Sequence, residues 1–389
     1  MNVFIAAHCN INNGDRAVLE ATVNTVNRFF PNVKITVSAA EPDILSDNRF
    51  KVVGWPRRRN FICKIIYRFI CITKCFRVYK FFYKYITNKS YLEELKKADI
   101  VFISGGHHLT DILGELNYFN LATSFLVPIY EKKRIYLLSQ SIGPVENKHL
   151  RKNVKFILEN VSNIAFRDQS SKAFLDEIDI KNEYSYLPDM VFSLYRDNEI
   201  KDCQRKTIGV ALYCSYYGAK RQILMPKVIH NLTLTLEYYI NKGYNVRFIS
   251  MDTNDEIVAK KIIKELSAKN DETIQIERPK DKNILSVVEL FRDKEIVLAY
   301  KTHAVIFSLI NYVPVIAIAY HQKSIEFMEM VDLSDYAVQD EDAEVDRLCE
   351  LIENALNNRD IIIGKELIGC KNNKNMIEKF FEEITEEME

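Results

Sequence analysis

Glycine and proline are scarce in this chain. Only 11 Gly and 9 Pro occur among 389 residues, which leaves no room for a long disordered tract and predicts that the chain folds throughout. Long apolar runs are missing as well: none approaches the roughly 20 residues that a membrane-spanning helix needs, so no span is expected. Net charge is absent. Lys and Arg total 53 and Asp and Glu total 53, which removes any global reason to expect nucleic acid as a partner. The eight cysteines, at 9, 63, 71, 75, 203, 214, 349 and 370, include no CxxC pair and no Cys/His spacing that suits zinc, so reduced packing thiols and no metal are expected. Nor does Met1-Asn2-Val3-Phe4-Ile5 resemble a secretory signal, since it has no basic region and no small-residue cleavage site. A cytoplasmic protein is the expectation.

What the chain does contain is the alternation of an α/β protein, at a length that suits two domains better than one core. Short β-branched runs at 3–7, 33–37, 100–104, 135–139 and 164–166 are separated by helical segments, as βα units on a parallel sheet require. The stretch from Tyr195 to Lys206 is polar and aperiodic, and reads as a linker. Strand-like runs then resume at 207–212, 244–250, 273–276, 295–298 and 313–318. The expected fold is therefore two Rossmann-like doubly wound domains facing a cleft, 1–195 and 206–389. Helical spacing at 343–357 and 372–386 places terminal helices in the second, one of them able to pack back on the first.

One segment breaks this pattern. Residues 49–91 hold 12 Lys or Arg and no Asp or Glu, interleaved with Trp55, Phe61, Tyr67, Phe69, Phe76, Tyr79, Phe81, Phe82, Tyr83 and Tyr85. Two readings stay open: an excursion whose aromatics fill core while its cations meet water, or an amphipathic surface for an anionic membrane or the phosphates of a lipid carrier.

Residues able to carry chemistry fall where strands end. Gly14 and Asp15 open a helix after the first strand, with Asp15 placed to cap it. Ser104-Gly105-Gly106-His107-His108, with Asp111 following, leaves a strand through two glycines, so that backbone can approach a ligand. The adjacent histidines suit hydrogen bonding to substrate better than a metal, because neighbours on a turn point apart. Gln140 with Gly143-Pro144, and Arg167-Asp168 with Ser170 and Ser171, end the next two strands. An Arg after a strand suits a planar anion. An Arg–Asp pair with a helix cap is the plainer reading for Asp168 and Ser170. In the second half, Lys301 and His303 end one strand, and Tyr320 and Lys323 the next. Two cations and a titratable imidazole thus share one edge.

In series, Gly14-Asp15, Gly105-Gly106 with Asp111, Gln140 with Gly143-Pro144, Arg167-Asp168 with Ser171, Pro188-Asp189, His303-Ala304 and Tyr320 with Lys323 resemble the polysaccharide pyruvyl transferase family, over Gly14 to about Leu333. That family is similar in fold to GT-B glycosyltransferases. The resemblance implies transfer of the enolpyruvyl carbons of phosphoenolpyruvate onto two hydroxyls of a sugar in an exopolysaccharide precursor, giving a cyclic ketal without a cofactor. By the chemistry this reaction needs, His303 is the acid or base, and Lys301, Lys323 and Arg167 hold the donor's anions. Gly14, Asp15, Gly105, Gly106, His107, Gln140 and Tyr320 line the substrate site, and Asp111 and Asp189 orient sugar hydroxyls or neighbouring side chains. Two positions depart from the family's pattern: Lys301-Thr302 stands where an Arg is usual, and His107 fills the place of a third glycine. The implied acceptor is a lipid-linked or nucleotide-linked sugar, and 49–91 would hold the enzyme at the inner face of the cell membrane. The rival readings are a GT-B glycosyltransferase using a nucleotide sugar and a non-catalytic binding protein in glycan assembly.

Overall fold

The computed structural model describes all residues except 8–12, 46, 59, 74–75, 113, 197–205, 214–218, 267–271, 282 and 389. The chain forms two compact units: Met1–Asn10, Val18–Met190 and Met376–Glu389 make the first, and Ile11–Ala17 and Val191–Asn375 the second.

In the first unit the order is β1 (Asn2–Ala7), α1 (Asn13–Phe29), β2 (Lys34–Ala39), β3 (Phe50–Gly54), α2 (Phe61–Thr73), α3 (Phe76–Ile86), α4 (Lys89–Lys97), β4 (Ile100–Ser104), α5 (Glu115–Tyr130), β5 (Arg134–Gln140), α6 (Lys148–Leu158), β6 (Asn163–Phe166), α7 (Gln169–Ile178) and β7 (Tyr184–Tyr186). Its seven strands pair in the order β3-β2-β1-β4-β5-β6-β7, all parallel. In the second unit follow β8 (Thr207–Ala211), α8 (Ala219–Asn241), β9 (Asn245–Ile249), α9 (Thr253–Glu265), β10 (Ile274–Glu277), α10 (Ile284–Glu289), β11 (Ile296–Ala299), α11 (Thr302–Leu309), β12 (Val315–Ala319), α12 (Gln322–Glu329), β13 (Ala337–Gln339), α13 (Val345–Asn357) and α14 (Arg359–Glu386). These strands pair as β10-β9-β8-β11-β12-β13, again all parallel. Both sheets are thus doubly wound and Rossmann-like. The strand order reverses beside β1 and β4 in one and beside β8 and β11 in the other, the switch points where such sheets bind ligands.

Central strands of a parallel sheet are covered on both faces and so read as unbroken apolar runs. Every residue of β4, β8, β11 and β12 is buried. The strands that apolar runs did not announce, β3, β7 and β13, are edges, short and only partly buried. β3 occupies the start of the basic segment 49–91, so that segment is an edge strand followed by α2, α3 and the first residues of α4. Helix starts are set locally: Asn88, Asn147, Asp168 and Asn283 each accept a backbone N–H at the head of α4, α6, α7 and α10.

The units differ from the division 1–195 and 206–389 at residues 191–195, which fall in the second unit, and at the two ends of the chain. The first turn of α1 goes with the second unit and the last turns of α14 with the first. The reason at the end of α14 is apolar. Phe381 is fully buried, with its ring 5.5 Å from Phe102 and 5.8 Å from Phe29, and Tyr136 donates to Glu387 at 3.0 Å. The linker expected between Tyr195 and Lys206 lies almost wholly outside the described residues, as do Cys9, Cys75, Cys203 and Cys214. Cys63, Cys71, Cys349 and Cys370 are free thiols. Phe381→Ala should cost the first unit about 3–5 kcal/mol, read as a lower urea midpoint. An unchanged midpoint would show that the end of α14 is dispensable.

Candidate active site

In the first unit the loops leaving β4 and β5 run as a paired extension. Ser141 donates its N–H to Gly106 and Gly143 donates to Leu109, while the Thr110 hydroxyl donates to Pro144. Gly106 has φ +99° and a methyl there would overlap the His108 ring, so the turn requires glycine. His107 Nε2 contacts the Gly143 carbonyl, whereas His108 is buried with its ring 6.1 Å from that of Phe125. The two histidines do have separate surroundings. No group of three or more His, Cys, Asp or Glu among the described residues is arranged to hold a metal. Asp111 accepts backbone N–H groups from Glu146 and Asn147 at 3.0 Å, bracing the loop before α6. Gln140, buried at the end of β5, donates to the carbonyls of Ile103 and Gly105 at 3.0 and 2.8 Å. Its Oε1 is buried with no hydrogen-bond partner among the described residues.

Beside it lies a buried ionic network. Arg167 is 5% exposed; its Nε donates to the Ser141 hydroxyl at 3.0 Å and its Nη1 pairs with Asp189, which is fully buried. Asp168 accepts from the hydroxyls of Ser141, Ser170 and Ser171 and from the Ser171 N–H. Burial by itself pushes its carboxyl up, but these hydrogen bonds from Ser141, Ser171 and Ser170 outweigh it and hold the group at about 2. The guanidinium expected to grip a donor anion therefore meets a carboxylate of its own unit.

In the second unit the carboxyl ends of β8, β11 and β12 carry Tyr213, Lys301, His303, Tyr320 and Lys323. Tyr213 and Tyr320 stack with ring centroids 3.9 Å apart and planes 7° from parallel, both edge-on to Tyr300 at 6.1 Å. The Tyr300 hydroxyl donates to Asp340 at 3.1 Å. Lys301 precedes α11 and is 8% exposed. Its Nζ donates to Asp252 and, at 2.8 and 3.1 Å, to the two oxygens of Asp255. These carboxylates form the capping box that starts α9. Lys301 thus sits between the two carboxylates. Burial pushes the Asp255 carboxyl up to about 6 against the pull of Lys301. Burial acts on Asp252 in the same sense, but there Lys301 and the N–H groups of Asn254 and Asp255 prevail and hold it down. Removing Lys301 would leave the buried Asp255 and the half-buried Asp252 without their cation, so this lysine is first a tie between the end of β11 and the start of α9.

His303 stands in the first turn of α11. Gly14, in the first turn of α1, lies against it: a methyl at position 14 would overlap the imidazole. Asn13 of the same turn donates to the Met251 carbonyl, which brings the turn beside the Lys301 cluster. Asp15 is an acidic residue of that first turn. His321 caps α12 by accepting the Lys323 N–H at 3.3 Å, and Ser324 donates to Thr302 at 3.2 Å, joining the starts of α11 and α12.

Sequence reasoning named Gly14, Lys301, His303, Tyr320 and Lys323, which the second unit gathers at one sheet edge. It also named Gly105, Gly106, His107, Asp111, Gln140, Arg167 and Asp189, gathered at one edge of the first. It missed Asp252, Asp255, Tyr213 and Ser141. Asp252-Thr253-Asn254-Asp255 has the spacing of a capping box, a signal that finds the start of α9 but not the lysine 46 residues beyond Asp255 that lands on it.

Solved structures similar to this chain include a glycosyltransferase from Rickettsia africae, 14% identical over 99% of this chain and 98% of that one, with a TM-score of 0.59. UDP-GlcNAc 2-epimerase from Neisseria meningitidis, solved with UDP-GlcNAc, is 12% identical over 97% and 98%, TM-score 0.57. The corresponding epimerase from Methanocaldococcus jannaschii is 14% identical over 92% and 93%, TM-score 0.57. At these identities the likeness is one of fold, and the fold is GT-B-like. No curated protein sequence matches. The sequence pattern of one family, polysaccharide pyruvyl transferase, matches residues 12–322, most of the chain, and the protein belongs to that family.

The contact at Gly14 is testable without an assay. Gly14→Ala should leave the fold intact while displacing the imidazole, read as a changed His303 ring resonance by NMR, assigned with His303→Gln. An unmoved resonance would break the link between α1 and His303. The Asp255 carboxyl gives a second test. Its folded value lies above the unfolded one, so its contribution is complete below about pH 4 and lost as pH rises through about 6. Wild type should lose roughly 1–3 kcal/mol relative to Asp255→Asn between about pH 4 and about pH 7 in urea titrations. A constant difference, or one that moves in favour of wild type, refutes the raised carboxyl.

Proposed function

We propose that the protein transfers the enolpyruvyl group of phosphoenolpyruvate onto two hydroxyls of a sugar in a cell-surface polysaccharide precursor, forming a cyclic ketal. The observation that carries this reading is the imidazole of His303 at the head of α11, with Gly14 against it, in a chain that belongs to the pyruvyl transferase family. Protonation of the methylene carbon makes the neighbouring carbon electrophilic, and one sugar hydroxyl adds there. The bond to phosphate then breaks, and the second hydroxyl closes the ketal. Of the two hydroxyl protons, one is balanced by the new methyl group and the other leaves with phosphate. His303 serves as the acid or base of these transfers. Lys323 and the head of α11 suit the donor's phosphate and carboxylate. Lys301 and Arg167, each matched by carboxylates of its own unit, act in this reading by holding strand ends in place and not as the free anion clamps first expected. Tyr320 stacked on Tyr213 offers a flat apolar face to a sugar ring.

The UDP-GlcNAc bound by the Neisseria protein of similar fold makes a nucleotide-linked sugar a suitable acceptor to try beside a lipid-linked one. The test is incubation with phosphoenolpyruvate and each acceptor. The expected result is an acceptor mass increased by one pyruvyl ketal, with phosphate released in equal amount. His303→Ala should reduce the rate by roughly 10²-fold or more while keeping the thermal transition. Full turnover by that variant removes His303 from the chemistry. Nucleotide release from the sugar without use of phosphoenolpyruvate would make the protein a glycosyltransferase instead.

A further inference from the structure

Helices α2 and α3 present two unlike faces. The inner one belongs to the core of the first unit through Cys63, Tyr67, Ile70, Phe76, Tyr79, Tyr83 and Ile86. The outer one is also apolar, although it is exposed: Phe61 is 76% exposed, Ile72 78% and Phe81 82%, with Ile62, Ile65, Phe69 and Tyr85 each about half exposed. Seven of the sixteen large apolar side chains exposed among the described residues thus lie between positions 61 and 85. On α2 they recur at helical spacing, 61-65-72 and 62-65-69-72, and make one stripe. Exposed Lys64, Arg68, Lys80 and Lys84 are interleaved with them.

We propose that this outer face of α2 and α3 lies on an anionic lipid bilayer, the isoleucines and phenylalanines entering the headgroup boundary and the four cations meeting lipid phosphates. Charge complementarity selects this occupant. The chain as a whole is neutral, yet residues 49–91 carry 12 cations and no carboxylate. A second copy of the same face would set cation against cation. Nucleic acid would satisfy the cations but leave Ile62, Ile65 and Ile72 without a partner. No described helix is long and apolar enough to cross a membrane, and a surface-lying helix needs only the amphipathic face seen here. The structure also selects which cations act. Arg57 turns inward, with its guanidinium carbon 4.1 Å from the centre of the Tyr67 ring and its Nη1 donating to Asn120 at 2.8 Å. Arg49 and Lys51 pair with Glu20, Asp47 and Glu94. The proposal does not depend on the pyruvyl transfer reading.

The test uses the full chain and phosphatidylcholine vesicles with and without phosphatidylglycerol, read by co-sedimentation. Each cation near an anionic surface multiplies partitioning roughly fivefold. Wild type should therefore bind the anionic vesicles at low salt, release as salt rises, and bind the neutral ones far more weakly. Replacing Lys64, Arg68, Lys80 and Lys84 together by Gln should weaken binding by about 10²-fold or more. Ile65→Ser with Phe69→Ser and Ile72→Ser should also weaken it, without lowering the thermal transition, since all three are exposed. Failure of wild type to bind anionic vesicles at low salt overturns the proposal, as does full binding by the Gln variant. So does sedimentation velocity without lipid that finds wild type dimeric and the Ser variant monomeric, because the face would then join two copies of the chain.

Discussion

A parallel sheet delivers the carboxyl end of every strand to one edge, and the rest of this structure depends on that constraint. Each unit is wound outward from a central pair, β1 and β4 or β8 and β11, so the chain must leave the sheet at neighbouring strand ends and return through a helix. Polar and glycine residues collect there because the strands themselves are buried on both faces and cannot hold them. Ser104 to Asp111, Ser139 to Pro144, Arg167 to Ser171 and Lys301 to His303 are consequences of one topology repeated twice.

At those edges burial decides what a charge can do. Arg167 on Asp189 and Lys301 on Asp252 and Asp255 are both almost fully withdrawn from water. A cation so placed needs its counter-charge in the resting protein. The two pairs hold loop geometry at the strand ends. Burial is what raises the Asp255 carboxyl to about 6, against the pull of Lys301, with the neighbouring Asp252 adding a smaller push in the same sense.

The central strands were legible because a parallel core writes itself as β-branched runs: 100–104 coincides with β4, and 135–139 and 207–212 fall within a residue of β5 and β8. The edges β3, β7 and β13 were not, since a strand of three to five residues covered on one side carries little apolar pattern. The segment 49–91 was legible as unusual and ambiguous as to role. The ambiguity is real in the molecule, for Tyr67 and Tyr79 are core while Phe61 and Phe81 are exposed on the same two helices.

The sequence by itself determined the fold class, the family and the residue types at each strand end, because periodicity and short motifs are local properties of a chain. Which of those residues meet was decided only by tertiary structure. Lys301 lands on a capping box 46 residues away and His303 on a glycine 289 residues away, and no local pattern records such partners. Whether a cation is paired or exposed, and whether an aromatic fills core or faces outward, follows from what the folded sheets bring alongside it.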